Sequence, residues 1–472
     1  MTICGQRSGG RRGILLIYAV LYLFFVGKML FYAAYVGHFP DETEHISYIA
    51  YLESSGRILP DFSQMRILVR EGEDGSVLNE SDDFSGPLHF SDRVNYLGHP
   101  PLYYQILRLS HGVRVSGDSV WVDIWRLRGT SMALAAAAML LILYLGWSRI
   151  RGRAAAHLFY AALCVSVPML AYGGAGVNND TLAMLGLPVF LTGFLRAAEG
   201  RHNRTTGLLI AGGVFLTMMA KLSAGMIVCL MLLIGILATG IRRRSLRPLL
   251  AAPYLATLPV YALTAAYFLW VFVQTGSIQP TLRRLSPVQF YASGFYVAPA
   301  ERKAMNLPQF VGYFRYAMHI SWTGIFSHIR YIKKGPAWGL DQIALAGMWV
   351  LPPVLLFWRW RSAGRRPDRG AVGALAAGYA AILLTAAVQC VRSYLEYRNV
   401  SGYLGGTSSR YYLCAIPVLA LSMALPFQGP AAAVGRPRYG RAAAAGCIVY
   451  SLLLFYEDFG YFLLHFAAGV FQ

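Results

Sequence analysis

Residues 13–36 read GILLIYAVLYLFFVGKMLFYAAYV, a run of 24 residues in which Lys28 is the one charged side chain. An α-helix crosses a bilayer core with about 20 apolar residues, so this run predicts a membrane-spanning helix. Similar runs recur along the 472-residue chain, which is 56% hydrophobic and 14% charged; ordinary globular chains are roughly 25% charged. The sequence therefore predicts an all-α polytopic membrane protein and excludes a soluble enzyme, a secreted disulfide-rich protein and a disordered chain.

Eleven apolar runs predict eleven transmembrane helices. They lie near residues 13–36, 129–147, 154–172, 181–196, 205–220, 222–241, 249–273, 340–358, 371–391, 410–426 and 442–466. Of the 42 Lys and Arg residues, 21 fall in the segments 7–12, 149–153, 196–204, 242–247, 359–369 and 436–441. Short loops rich in Lys and Arg stay in the cytoplasm, so the net charge of +20 reflects topology and not nucleic-acid binding. We expect an integral cytoplasmic-membrane protein with its N-terminus in the cytoplasm and its C-terminus outside.

Two long segments face outward in this topology, 37–128 and 274–339. The first holds 14 of the 22 acidic residues, and we expect it to carry short helices at the membrane surface. We expect one transmembrane domain over residues 1–472, with no soluble domain after the last span. Any chemistry then belongs to the outward segments and to the helix ends beside them.

The first outward segment opens with an acidic cluster, FPDETEH at residues 39–45. If a helix follows Pro40, Asp41 and His45 share one face of it. Carboxylates beside a membrane, such as those of Asp41, Glu42 and Glu44, are partly desolvated and become better proton acceptors. Alternatively, Asp41 is a helix N-cap, and acids are favoured in a first helical turn. The sequence leaves both interpretations open.

Two further polar clusters follow. In GHPPLYY at residues 98–104 the prolines predict a helix start, and His99 either binds a phosphate or a metal, orients a carboxylate, or only caps the turn. In GGAGVNND at residues 173–180 the glycines permit tight backbone. There Asn178, Asn179 and Asp180 either bind a sugar or support the first carboxylates, or they cap the next helix. For this cluster we favour capping with a supporting role.

Cations at the outer ends of the predicted helices form the last set. Lys221 is flanked by apolar sequence on both sides, and a charge at the bilayer centre costs roughly 2.5–3.5 kcal/mol. An anionic lipid headgroup would be a natural partner for it. Arg410 begins a span, with His328, Arg330 and Arg392 as possible neighbours. Arginine binds phosphate bidentately; the alternative for Arg410 is an interface anchor beside two tyrosines.

These clusters, in this order, resemble the GT-C superfamily of polytopic membrane glycosyltransferases, whose donors are sugars linked to polyprenyl phosphate or diphosphate. The resemblance is greatest to a group of bacterial membrane proteins in that clan and more distant to aminoarabinose transferases and protein O-mannosyltransferases. The matching residues are PDE at 40–42 with His45, HPPLYY at 99–104, NND at 178–180, KLS at 221–223, and SRY at 409–411 with Pro417. The resemblance implies a GT-C fold and transfer of a sugar from a polyprenyl-phosphate donor at the extracytoplasmic face.

The resemblance also implies roles for individual residues. Asp41 matches the catalytic base of an inverting transfer by position, and Glu42 is the neighbouring candidate. The lipid phosphate would be bound by Lys221, Arg410, His328 and Arg330, and the donor or acceptor would be supported by His45, His99, Tyr103, Asn179 and Asp180. Members of the superfamily differ in whether they need a divalent metal. Here Mg²⁺ or Mn²⁺ would be held by Asp41, Glu42, Glu44 and His45.

The absence of a predicted C-terminal outward domain favours a cell-envelope glycan or lipid as the acceptor over a protein. The alternative class of function is a non-catalytic flippase or transporter for a polyprenyl-linked glycan. Such a protein would use the same cations to bind phosphate, but it needs a route across the bilayer, and the predicted spans contain few acids. We therefore expect an enzyme whose partners are a lipid-linked sugar donor, a glycan or lipid acceptor, and the surrounding membrane lipids.

Overall fold

The computed structural model of the protein describes residues 8–70, 84–151, 153–245, 251–325, 343–362, 366–428 and 437–460. Most of these residues are helical. The α-helices are α1 Ser8–Tyr35, α2 Glu42–Ser55, α3 Leu102–Arg108, α4 Ile124–Arg149, α5 Ala154–Val165, α6 Pro168–Ala175, α7 Asp180–Ala198, α8 Arg204–Ala220, α9 Leu222–Arg243, α10 Ala252–Leu255, α11 Leu258–Thr275, α12 Leu282–Leu285, α13 Pro287–Ala292, α14 Leu307–Thr323, α15 Ile343–Ser362, α16 Arg366–Glu396, α17 Ile416–Ala424 and α18 Pro437–Phe455. A 3-10 segment, Ser409–Ala415, leads into α17.

Eight helices within the described residues are long and apolar enough to cross a membrane. They are Arg11–Tyr35, Ile124–Arg149, Asp180–Ala198, Leu222–Ile241, Ala252–Thr275, Ile343–Arg361, Arg369–Ser401 and Ser409–Phe427. A ninth span results if α5 and α6, which meet at an angle of 52°, cross as one bent pair. The prediction of an all-α polytopic membrane protein is confirmed. The predicted number of eleven transmembrane helices would also require α8 and α18, which do not meet the same criteria of length and hydropathy.

The outer surface of the bundle has the composition expected of a lipid-facing surface. On α1, Leu15, Leu16 and Leu23 are each more than half exposed, which in water would be unfavourable for so many adjacent large apolar side chains. The opposite face of α1 buries Phe25, and Phe25 lies in the same core as the helices behind it. Large apolar side chains therefore occupy both the core and the outer face of α1, as expected where the surrounding solvent is lipid.

The segment between α1 and α4 contains structure that the sequence did not predict. Besides α2 and α3 it forms two antiparallel hairpins, β1 Arg66–Val69 with β2 His89–Val94, and β3 Val113–Ser116 with β4 Ser119–Val122. A single bridge between Leu88 and Val120 joins the two hairpins. Strands of four to six residues are too short for their alternation to be told from a loop. The predicted short helices, α2 and α3, are present, and the hairpins help to position them against the helical bundle.

A buried ion pair joins α1 to the end of the described chain. Lys28 is 2% exposed and pairs with Asp458, which follows α18. Its Nζ also donates to the carbonyl of Val165 at 2.7 Å, where α5 ends before the bend into α6. This contact satisfies a backbone acceptor that the broken helix leaves open. Lys28 therefore stabilises the bend that carries the chain to residues 173–180.

Candidate functional site

A cavity of about 1100 Å³ opens between the turn before α2, β2, α13, α14 and the loop that precedes the 3-10 segment. Its charged and phenolic lining includes Asp41, Glu42, Glu44, Arg93, Tyr96 and Arg410. The two segments that the sequence predicted to face outward, 37–128 and 274–339, therefore meet at one cavity. The start of the apolar segment Ser409–Phe427 completes its wall.

Asp41 directs its carboxylate into this cavity and not onto the helix that follows it. Its backbone is left-handed (φ 58°), and at the N-cap position of α2 its side chain makes no capping hydrogen bond. The hydroxyl of Tyr96 donates to Oδ1 at 2.6 Å, and Nη2 of Arg410 donates to Oδ2 at 2.6 Å. Burial and the charge of Asp41 raise the pKa of Tyr96 well above its usual value, so Tyr96 remains a donor. The capping interpretation of Asp41 is wrong for its side chain.

Glu42 holds the turn that presents Asp41. Its two oxygens accept from Nε and Nη2 of Arg128 at 3.0 and 2.5 Å, and Oε1 also accepts from the backbone N–H of Val177 at 2.8 Å. The guanidinium of Arg128 lies 4.8 Å from the ring centre of Phe39. Both carboxylates have both oxygens bound, but the side chain of Glu42 is 0% exposed and that of Asp41 is 11% exposed, so Asp41 is the more accessible to a ligand. The geometry favours Asp41 over Glu42 as the base.

Arg410 begins a chain of alternating charges that leads away from the cavity. Its Nε lies 3.5 Å from Oδ2 of Asp180, and the other oxygen of Asp180 accepts from Nζ of Lys221 at 2.5 Å. Each of these three side chains is no more than 6% exposed. Lys221, which the sequence predicted to meet a lipid headgroup, has a carboxylate partner behind Arg410.

The Asn-Asn-Asp cluster combines capping with support. Oδ1 of Asn178 accepts from the backbone N–H of Asp180 at 2.9 Å, and Nδ2 of Asn179 donates to the carbonyl of Ala220 at 2.7 Å. The second bond fastens the start of α7 to the end of α8, next to Lys221. At Gly176 a Cβ would lie 2.3 Å from the ring of Phe39, so only glycine permits the approach of the turn that carries Asp41.

The predicted supporting histidines lie behind the cavity wall. Nδ1 of His45 is 2.9 Å from the hydroxyl of Tyr104, and the rings of His45 and His99 stack with centres 6.1 Å apart. Burial lowers the pKa of His45 well below its usual value, and burial together with the charge of Lys221 lowers that of His99 to about 3. Tyr103 is also buried, with its hydroxyl 3.0 Å from that of Ser131. His45 packs α2 against α3, Tyr103 connects α3 to α4, and neither these two residues nor His99 lines the cavity.

The predicted metal ligands do not converge. Asp41 contacts Arg410, Glu42 contacts Arg128, and His45 contacts Tyr104. No three His, Cys, Asp or Glu side chains within the described residues come together as a metal site. Of the predicted phosphate-binding residues, His328 and Arg330 lie outside the described part of the chain.

Sequence reasoning missed two residues that shape the site, Tyr96 and Arg128. Arg128 was assigned only to the end of the first outward segment. A charged residue inside an apolar span usually has a buried partner. That rule would have paired Arg128 with an acid of the FPDETEH cluster. No sequence pattern distinguishes Tyr96, because tyrosines are common near membrane surfaces.

The site therefore places a carboxylate and a guanidinium side by side at the wall of a cavity large enough for a polar ligand. The carboxylate can accept a proton and the guanidinium can bind an anion. No protein-family model and no curated protein matches this chain in sequence. The functional conclusion thus depends on the chemistry of these side chains.

Proposed function

We propose that this chain is an integral-membrane glycosyltransferase. It moves a sugar from a polyprenyl-phosphate donor to a glycan or lipid acceptor of the cell envelope, on the extracytoplasmic face. The observation that carries the proposal is the pairing of Asp41 with Arg410 at the wall of the 1100 Å³ cavity. Transfer from a lipid phosphate uses one group that takes the proton of the acceptor and another that stabilises the charge of the leaving phosphate, and these two side chains can supply both.

The proposed reaction is an inverting displacement. The carboxylate of Asp41 takes the proton of an acceptor hydroxyl, and the hydroxyl oxygen attacks the anomeric carbon of the donor. The bond from that carbon to the phosphate oxygen breaks, and the lipid phosphate leaves with the electron pair. Arg410 stabilises the negative charge that develops on the phosphate. A glycosidic bond of opposite anomeric configuration results.

The proposed topology has eleven crossings with the N-terminus in the cytoplasm. Each of the eleven predicted spans contains a described helix: α8 supplies the short fifth span, α18 supplies the last, and α5 with α6 forms the third as a bent pair. The arginine-rich segments then lie on one side and the cavity residues on the other. This arrangement supports an extracytoplasmic site.

The experiment compares cells that carry the chain with cells from which its gene is deleted. Lipid-linked sugars and envelope glycans are analysed by mass spectrometry in both. We expect deletion to remove one sugar from a glycan and to accumulate the polyprenyl-linked donor of that sugar. If deletion instead accumulates a complete lipid-linked glycan on the cytoplasmic side, the chain is a flippase and the proposal is wrong.

A further inference from the structure

Arg410 lies between two carboxylates that belong to different parts of the chain. Asp41 approaches its Nη2 at 2.6 Å from the turn before α2. Asp180, the first residue of α7, approaches its Nε at 3.5 Å. One guanidinium therefore has two acidic partners, and an anionic ligand that binds Arg410 must compete with at least one of them.

The two carboxylates differ in their access to the cavity. Asp41 and Arg410 are among the described residues that line it, whereas Asp180 and Lys221 are not. Asp180 also has its own cation, because Nζ of Lys221 lies 2.5 Å from its Oδ1. A ligand that enters the cavity therefore contacts Asp41 first. Asp180 lies behind Arg410, and Lys221 already neutralises its charge.

Arg410 and Asp180 each keep one unused hydrogen-bonding atom. Within the described part of the chain, Nε of Arg410 and Oδ2 of Asp180 are buried without a hydrogen-bond partner. They are the two atoms that lie 3.5 Å apart, slightly beyond the usual N–H···O distance of about 2.7–3.2 Å. A small movement of the guanidinium toward Asp180 would join them. Such a movement also lengthens its contact with Asp41.

We propose that Asp180 is a positioning residue that anchors Arg410 while the phosphate of the donor replaces Asp41 on the guanidinium. This rests on the proposed function, since it takes the donor's phosphate as the incoming anion. In the ligand-free protein Asp41, Arg410, Asp180 and Lys221 have a net charge of zero. Withdrawal of Asp41 leaves one positive charge facing the cavity, which matches a singly charged phosphodiester.

The exchange also prepares Asp41 for its part in the reaction. A carboxylate paired with arginine is stabilised in its charged form and accepts a proton less readily. Once the phosphate occupies Arg410, Asp41 is released to take the proton of the acceptor hydroxyl. Donor binding thus activates the base, and the acceptor is not deprotonated when no donor is present.

The test measures equilibrium binding of a labelled long-chain polyprenyl monophosphate to the full-length protein in lipid nanodiscs. Wild type is compared with Asp180→Asn and Asp41→Asn. Inorganic phosphate is added as a competitor, which separates binding through the headgroup from binding through the prenyl chain alone. Charge alone predicts that Asp180→Asn binds the anion more tightly, because it leaves Lys221 without its counter-charge. Anchoring predicts the opposite.

We expect Asp180→Asn to weaken binding about tenfold and Asp41→Asn to tighten it about tenfold, both with competition by inorganic phosphate. Equal or tighter binding by Asp180→Asn overturns the anchoring role and leaves the proposed transferase intact. Unchanged or weaker binding by Asp41→Asn overturns the exchange. If wild type binds no polyprenyl phosphate, the inference and the proposed function both fail.

Folding is controlled with the conservative variant Asp180→Glu and with gel filtration of each protein. The longer carboxylate retains the charge and reaches Arg410, so we expect its affinity within about threefold of wild type. If Asp180→Asn does not fold, phosphate binding by Asp41→Asn still shows whether the phosphate and Asp41 compete for Arg410, because Asp41 lies at the cavity wall.

Discussion

Arg410 and Asp41 are 369 positions apart in the sequence, yet Nη2 of the arginine lies 2.6 Å from Oδ2 of the aspartate. The contact joins the start of the apolar segment Ser409–Phe427 to the turn that follows the first apolar helix. A second carboxylate, Asp180, approaches the same guanidinium from the interior. The site is therefore assembled from the turn after α1, the 3-10 segment before α17 and the first residue of α7.

Glu42 is expected to be essential for stability. Its pair with Arg128 is buried, with side chains 0% and 7% exposed, and removal of one partner from such a pair costs about 3–5 kcal/mol. We therefore expect Glu42→Gln to lower the free energy of unfolding by that amount. The measurement is thermal unfolding of the detergent-solubilised protein, with ligand-free samples.

The matched control is Glu53→Gln, which removes one charge from a pair of similar length. Glu53 and Arg108 lie 2.6 Å apart with side chains about one third exposed, and such pairs contribute about 0–1 kcal/mol. Equal losses of stability in Glu42→Gln and Glu53→Gln would contradict the positioning role of Glu42.

The buried histidines are expected to make the protein less stable in mild acid. Since burial lowers the pKa of His99 to about 3, the folded chain leaves it neutral, whereas the unfolded chain protonates it below about pH 6.5. Stability therefore falls as the pH falls through this range, by roughly 2 kcal/mol between pH 6.5 and 5 for one such histidine. We expect His99→Gln to show a smaller fall in melting temperature from pH 7 to pH 5 than wild type.

The control for this measurement is His111→Asn, at an exposed position with a positive φ that asparagine tolerates. It should retain the full acid-dependent fall of wild type. An identical fall in His99→Gln and wild type would show that His99 is protonated in the folded protein.

The proposed membrane topology predicts opposite accessibility for two exposed residues. Asp118 lies between β3 and β4, and Arg201 lies between α7 and α8 in an arginine-rich segment. We expect Asp118→Cys to react with a membrane-impermeant maleimide in intact cells, and Arg201→Cys to react only after permeabilisation. Both are made in a background without Cys4 and Cys229. The reverse result would place the cavity in the cytoplasm.

The spans could be predicted because hydropathy is a local property of composition. Each predicted apolar run contains a helix, and the turn that carries Asp41 lies within the acidic cluster that the sequence indicates at residues 39–45. The partners of Asp41 could not be predicted. Its contact with Arg410 depends on how the helices pack, and no local period in the sequence encodes a pair so distant in the chain.

The buried charges of Lys221 and Asp180 could be predicted only in part. The sequence identifies Lys221 and Asp180 separately, Lys221 as a cation that binds a lipid phosphate and Asp180 as a capping group with a supporting role. Two buried charges of opposite sign in an apolar setting usually pair, and in the structure they do, at 2.5 Å. The hairpins of the first outward segment were missed because strands of four to six residues have no distinctive pattern.

The central claim, that Asp41 is the base of a glycosyl transfer, is tested most directly by complementation of the deletion strain with Asp41→Asn. The matched control is Asp118→Asn, the same chemical change at an exposed residue outside the cavity, and both variants are compared at equal amounts in the membrane. Mass spectrometry follows the envelope glycan and the polyprenyl-linked donor. If Asp41 is the base, Asp118→Asn restores the missing sugar, whereas Asp41→Asn does not and leaves the donor accumulated. Full restoration of the sugar by Asp41→Asn would show that Asp41 is not the base.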